Sequence, residues 1–109
     1  YGAVQAAFQA RRSSDPRVRA TLAVIARDEA RHAELAWAVD AFLAARLSAG
    51  ERLEVLRARE EAWRTLAASL AVEPSEELRD VAGLPSAAEA ARLVAAAREA
   101  LARESASAA

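Results

Sequence analysis

Cysteine is absent from this 109-residue chain, which excludes disulfides, thiolate metal sites and a cysteine nucleophile. Lysine is absent too. All 15 basic residues are arginine, set against 16 acidic residues for a net charge of -1. That balance leaves no basic field to hold nucleic acid or an anionic membrane surface. Three glycines and three prolines are too few for an all-β chain built on turns. No apolar run approaches the roughly 20 residues of a membrane span. What is abundant is alanine, 33 residues of it. The expectation is one soluble, mostly helical domain or a piece of one. The chain opens on Tyr1 and reads as helix at once, so a piece of a longer protein is expected.

The punctuation predicts five helices. The first runs to about Arg12, with Arg11 and Arg12 suiting its C-terminus. Asp15-Pro16 is an N-cap followed by a first-turn proline, so the turn is short and the second helix, Pro16 to about Leu47, returns antiparallel to the first. Ser48 and Glu51 have capping-box spacing ahead of a third helix, about Gly50 to Val72. A short helix follows Pro74 and ends near Ala82, with Gly83 as its C-cap. Ser86 and Glu89 repeat the capping-box spacing at the start of the last helix, and fraying is expected beyond about Arg103. The third helix is expected to fold back along the second half of the long one.

One stripe of the long helix carries the chemistry. Val18, Leu22, Ile25, Glu29, His32, Ala36, Val39 and Leu43 recur at alternating steps of four and three, the seam of a packed bundle helix. Glu29 and His32 interrupt it as a Glu-x-x-His unit, and His32 is the only histidine of the chain. A carboxylate buried alone costs several kcal/mol, about what a bound cation would relieve. A carboxylate oxygen and an imidazole nitrogen one turn apart can reach the same ion, and a carboxylate-rich site with one histidine suits iron or manganese better than structural zinc. Asp28 and Arg31 flank the pair and can orient it. The plainer reading pairs Glu29 with an arginine of another helix and leaves His32 satisfied in a core.

The run Asp28-Glu29-Ala30-Arg31-His32 resembles the D-E-x-R-H motif of the ferritin-like di-iron carboxylate superfamily. With Asp15-Pro16, Ile25-Ala26 and Arg31 to Trp37 around it, residues 1–45 look like uncharacterised bacterial ferritin-like domain proteins. The resemblance implies an all-α fold. Residues 1–47 would be an antiparallel hairpin, the C-terminal half of a four-helix bundle; 48–104 would be a helical extension and 105–109 a frayed tail. It implies two iron ions in the intact parent, with manganese as an alternative, and ferroxidase, peroxidase or hydroxylase chemistry. Glu29 and His32 then match metal ligands, and Asp28 and Arg31 the residues that support them. The superfamily's lone glutamate on the preceding helix would fall just ahead of Tyr1, with the amide of Gln5 a poor substitute inside the chain. This piece alone would carry part of a site and could be metal-free. Its expected partner is a second copy or the missing N-terminal half of the same domain, with no nucleic acid and no membrane, in the cytoplasm.

The other reading is a non-enzymatic helical module whose exposed seam mediates assembly. Glu60 is the best remaining carboxylate, on the stripe Leu53, Leu56, Glu60, Trp63, but a salt bridge to Arg57 or Arg64 competes with a ligand role. Trp37 and Trp63 read as core or interface aromatics.

Overall fold

Five helices are written into the chain by their end signals, and the computed structural model, which describes residues 1–107, has them as α1 (Gly2–Arg12), α2 (Pro16–Ala44), α3 (Ala49–Ser69), α4 (Glu76–Val81) and α5 (Ala87–Ser107). Among the described residues there is no strand, and no helix is long and apolar enough to cross a membrane. Asp15 caps α2 by accepting from the Arg17 and Val18 amides at 2.7 and 3.3 Å, with Pro16 in the first turn. Ser48 and Glu51 close a full capping box on α3. The helix ends differ in detail from expectation. α2 stops at Ala44, because the amides of Arg46 and Leu47 both turn back to the Leu43 carbonyl. α3 stops at Ser69, whereas α5 continues past Arg103 to Ser107. Residues 108 and 109 of the expected frayed tail lie outside the described residues.

α1 and α2 run antiparallel along each other, since the chain reverses between Arg12 and Pro16 and Gly2 at the far end of α1 meets Glu29. The reversal is pinned from a distance. Ser13 is buried; its hydroxyl donates to the Val81 carbonyl and accepts from the Asp15 amide at 3.2 Å. The Ser14 amide donates to Asp80 O at 2.9 Å, and the Gln9 side chain donates to Ala82 O at 3.0 Å. The last turn of α4 is thus strapped onto the α1–α2 turn. Gly83 follows with φ 65°, the left-handed cap that lets the chain press against α1 and swing into α5. Ala6 of α1 and Ala90 and Val94 of α5 are the buried apolar side chains of this junction.

The α5 start carries a pH dependence. Glu89 accepts from the Ser86 amide at 2.9 Å and lies 3.5 Å from Arg12, so chiefly the Ser86 bond, helped by that guanidinium, holds its carboxyl below the ordinary range. A depressed carboxyl contributes stability that is complete above the unfolded-state pKa and is lost as pH falls through the folded one. Glu51, held down by Ser48, acts in the same direction. Glu89→Gln is expected to lower the melting temperature at neutral pH and to converge on the unaltered chain in acid, which flattens the acid limb of the profile. An unaltered acid limb would count against this assignment.

α3 folds back along the second half of α2, where Asp40, Leu43 and Ala44 line a groove with Val55, Leu56 and Arg59, but it packs there loosely. One ion pair ties them, Arg59 to Asp40 at 2.7 Å, while Leu53 and Leu56 of α3 and Val39 and Leu43 of α2 stay half-exposed. The alanines along α2 give a neighbouring helix little area to bury. α3 is held to α5 by Glu60, which accepts both 2.9 and 2.8 Å bonds from Arg98. The molecule is accordingly drawn out, 48 × 26 × 17 Å with a radius of gyration of 16.0 Å, against about 13 Å for a compact chain of this length.

Candidate functional site

Residues Glu29 and His32 stand one turn apart on α2, with Glu29 Oε1 3.9 Å from His32 Nδ1. Among the described residues neither is hydrogen-bonded to any other side chain, so both keep donor electrons available. Their side chains are 44% and 72% exposed. The sequence stripe is therefore only in part the face that α2 covers within this chain. Val18, Leu22 and Glu29 of the stripe are among the less exposed positions, but the others beyond Ala23 are Ala26, Ala33, Trp37, Asp40 and Ala44, one residue past Ile25, His32, Ala36, Val39 and Leu43, and one residue is about 100° around a helix. Glu29 sits where the two faces meet. His32 lies on the outer face, among Ile25, Val39 and Leu43, all of them exposed.

The residue level with Glu29 on α1 is Gly2, within about a turn of the position just ahead of Tyr1 that the sequence predicts. A Cβ added there would lie 2.9 Å from Glu29 Oε2. The difference of about a turn follows from side-chain direction. A helical side chain leans toward its own N-terminus, which on α2 is the end nearest the reversal, so Glu29 reaches a residue of α1 closer to that reversal. Gly2 supplies no ligand, but its missing side chain leaves room for the carboxylate.

The flanking residues face each other. Arg31 Nη1 lies 3.3 Å from Asp28 Oδ1, both exposed, and neither is bonded to His32 or Glu29. Glu60 pairs with Arg98, while Arg64 pairs with Glu61, so the expected partners Arg57 and Arg64 are not the ones used. Among the described residues no three histidine, aspartate or glutamate side chains gather into a group that could hold a metal ion. What the chain presents is one oxygen and one nitrogen donor side by side.

A second feature was not legible as a site. An open cavity of about 460 Å³ lies between α1, α2, α3 and α5, lined by Tyr1, Trp37, Trp63 and Leu101 among others. Both tryptophans of the chain line it. The Asp40–Arg59 pair forms part of its wall. The Tyr1 hydroxyl is buried and has no hydrogen-bond partner. Burial pushes its pKa above the ordinary phenol value, so the group stays neutral. Trp37 and Asp40 share the buried phase of α2, and that i, i+3 spacing was the available signal. No protein-family model, curated protein or solved structure matches this chain.

Proposed function

We propose that this chain is part of a ferritin-like metal-binding domain, in which Glu29 and His32 are ligands of a two-ion iron or manganese site. One observation carries the reading: an oxygen and a nitrogen donor 3.9 Å apart, not engaged by other described residues, beside an exposed apolar face. An open face with two ionisable groups at its centre is what a bundle helix offers to helices that bring the remaining ligands. The donor set fits iron or manganese, which accept mixed carboxylate and imidazole ligation. Two donors are too few for a closed site, so the other ligands come from outside the described residues.

In this reading Glu29 binds metal through its carboxylate and His32 through one imidazole nitrogen. Gly2 keeps the space beside the Glu29 carboxylate clear. Asp28 and Arg31, joined at 3.3 Å, balance each other's charge at the edge of the site. The metal pair supplies oxygen-dependent redox chemistry when bound.

Metal analysis of the full protein that contains this chain tests the proposal. The expected result is about two ions per protein, as in bundle sites that draw Glu and Glu-x-x-His from four helices. Glu29→Ala or His32→Ala is expected to lower occupancy severalfold, and Glu60→Ala to leave it unchanged because Glu60 is engaged with Arg98. Absence of stoichiometric metal, or indifference to Glu29→Ala, overturns it.

The accessible surface favours a second reading, a helical assembly module. It amounts to 7549 Å², whereas a folded monomer of this mass exposes about 5,800 Å². Large apolar side chains contribute to it beyond the polar pair, with Leu35 65% and Phe42 57% exposed. Assembly that survives Glu29→Ala with His32→Ala and binds no metal would select this reading.

A further inference from the structure

The stripe of α2 that carries Glu29 and His32 is complementary to its own reverse. Its positions stand symmetrically about a point between Ala30 and Arg31, close to the middle of the helix. Turned end for end, the stripe sets Val18 on Leu43, Leu22 on Val39, Ile25 on Ala36 and Glu29 on His32. Every apolar position meets an apolar one, and the acid meets the base. Parallel alignment sets Glu29 on Glu29 instead, and two carboxylates removed from water together repel. A two-fold axis across α2 at Ala30 and Arg31 generates the reversed pairing from two copies of the chain, since an isologous contact joins i to j and j to i.

The surface favours that partner. Ile25, Ala36, Val39 and Leu43 are exposed, and Leu35 and Phe42 widen the apolar face on the side opposite Trp37 and Asp40. The accessible surface of 7549 Å² exceeds that of a folded monomer, about 5,800 Å², by more than the roughly 800 Å² each partner gives to a standard interface. Among the described residues no third donor joins Glu29 and His32. A second copy in this register doubles the set to two carboxylates and two imidazoles.

We infer that two copies of this chain pack α2 against α2, antiparallel about that axis, and hold one divalent iron or manganese ion between their two Glu29–His32 pairs. The inference rests on the reading of Glu29 and His32 as metal ligands and adds the source of the donors this chain lacks. Mixed oxygen and nitrogen ligation suits either ion. A second ion would need ligands from outside the described residues.

Disulfide trapping tests the register, and the chain has no cysteine of its own to interfere. Ile25→Cys mixed with Ala36→Cys is expected to cross-link in air. Neither variant alone should do so, because like positions lie eleven residues apart along the paired helices, about 16 Å at 1.5 Å per residue, against the roughly 7 Å limit of a disulfide. Both sites are exposed; if helix content falls by circular dichroism, Leu22→Cys with Val39→Cys tests the same register. Sedimentation velocity with manganese(II) and with EDTA tests the ion. Manganese is expected to lower the dimer dissociation constant at least about tenfold, as a ligand of the dimer alone must, and to bind as one ion per two chains. His32→Ala should abolish that effect and leave the metal-free dimer in place. Self-cross-linking of Ile25→Cys, or no mixed product, overturns the inference. Manganese held by single chains with association unchanged also overturns it, while leaving Glu29 and His32 as ligands that another segment completes. No bound manganese overturns it too, and the metal content of the full protein then decides separately whether the ligand reading stands.

Discussion

Gly83→Ala is expected to destabilise the fold by at least about 2 kcal/mol, the sum of a left-handed backbone and a backbone clash. Gly83 has φ 65°, where an L side chain costs about 1–2 kcal/mol by itself. A Cβ there would lie 2.6 Å from both the Gln9 carbonyl oxygen and the Ser13 amide nitrogen. Those two atoms are joined to each other by the closing hydrogen bond of α1, at 2.9 Å. Neither is the end of a flexible side chain, so relief requires the strap between α4 and the α1–α2 turn to shift. The loss should reach Ser13, whose hydroxyl holds Val81. Urea unfolding measures it, with Gly50→Ala as the control. Gly50 has nothing within 4 Å of an added Cβ and no positive φ; alanine there should be neutral or stabilising by up to about 1 kcal/mol. Equal effects at the two glycines would refute the account.

The second large effect concerns association. The surface in excess of a folded monomer's is about 1,700 Å², the difference between 7549 Å² and the roughly 5,800 Å² expected. A standard interface takes about 800 Å² from each partner. The chain alone is therefore expected to self-associate with rising concentration through the outer face of α2. Arg46 covers part of that face, its guanidinium 3.5 Å from the centre of the Phe42 ring, but Val39, Leu43 and Leu35 are left open. Val39→Glu with Phe42→Glu should raise the dissociation constant by about a hundredfold, from two lost apolar burials and two carboxylates that would have to be desolvated. Sedimentation velocity reads this out. A compact monomer at high concentration in the unaltered chain would exclude it.

The local grammar of this chain was legible because its signals act within four residues. Asp15, Ser48 with Glu51, Ser86 with Glu89, and Gly83 all do what their spacing predicts. The phase of α2 was not. Alanine occupies positions 26, 33, 36 and 44, so the stripe through Ile25 and His32 and the stripe one residue further are both apolar enough to bury. The choice between them depends on α1 and on the pairing of Asp40 with Arg59, neither of which a periodicity contains. Glu60 is the same case, since its arginine lies 38 residues away. For the candidate site, the sequence identified the Glu29–His32 pair and its shared turn; it could not foresee that His32 faces outward within this chain. The cavity escaped notice because its two tryptophans come from different helices, 26 residues apart, and nothing in a sequence brings them to one wall.

The strap on the α1–α2 turn has a consequence for the order of assembly. The hairpin can close as soon as its reversal is made, across three residues between Arg12 and Pro16. The bonds that hold its turn in place, from Gln9, Ser13 and Ser14, reach 73, 68 and 66 residues along the chain. Loop closure over such spans comes late, after local contacts have formed. During synthesis the hairpin therefore leaves the ribosome well before the segment that secures it, and it waits with the Ser14 amide open to solvent. Exchange of that one amide, bonded to Asp80 in the finished fold, would serve as a clock for the final docking of α4.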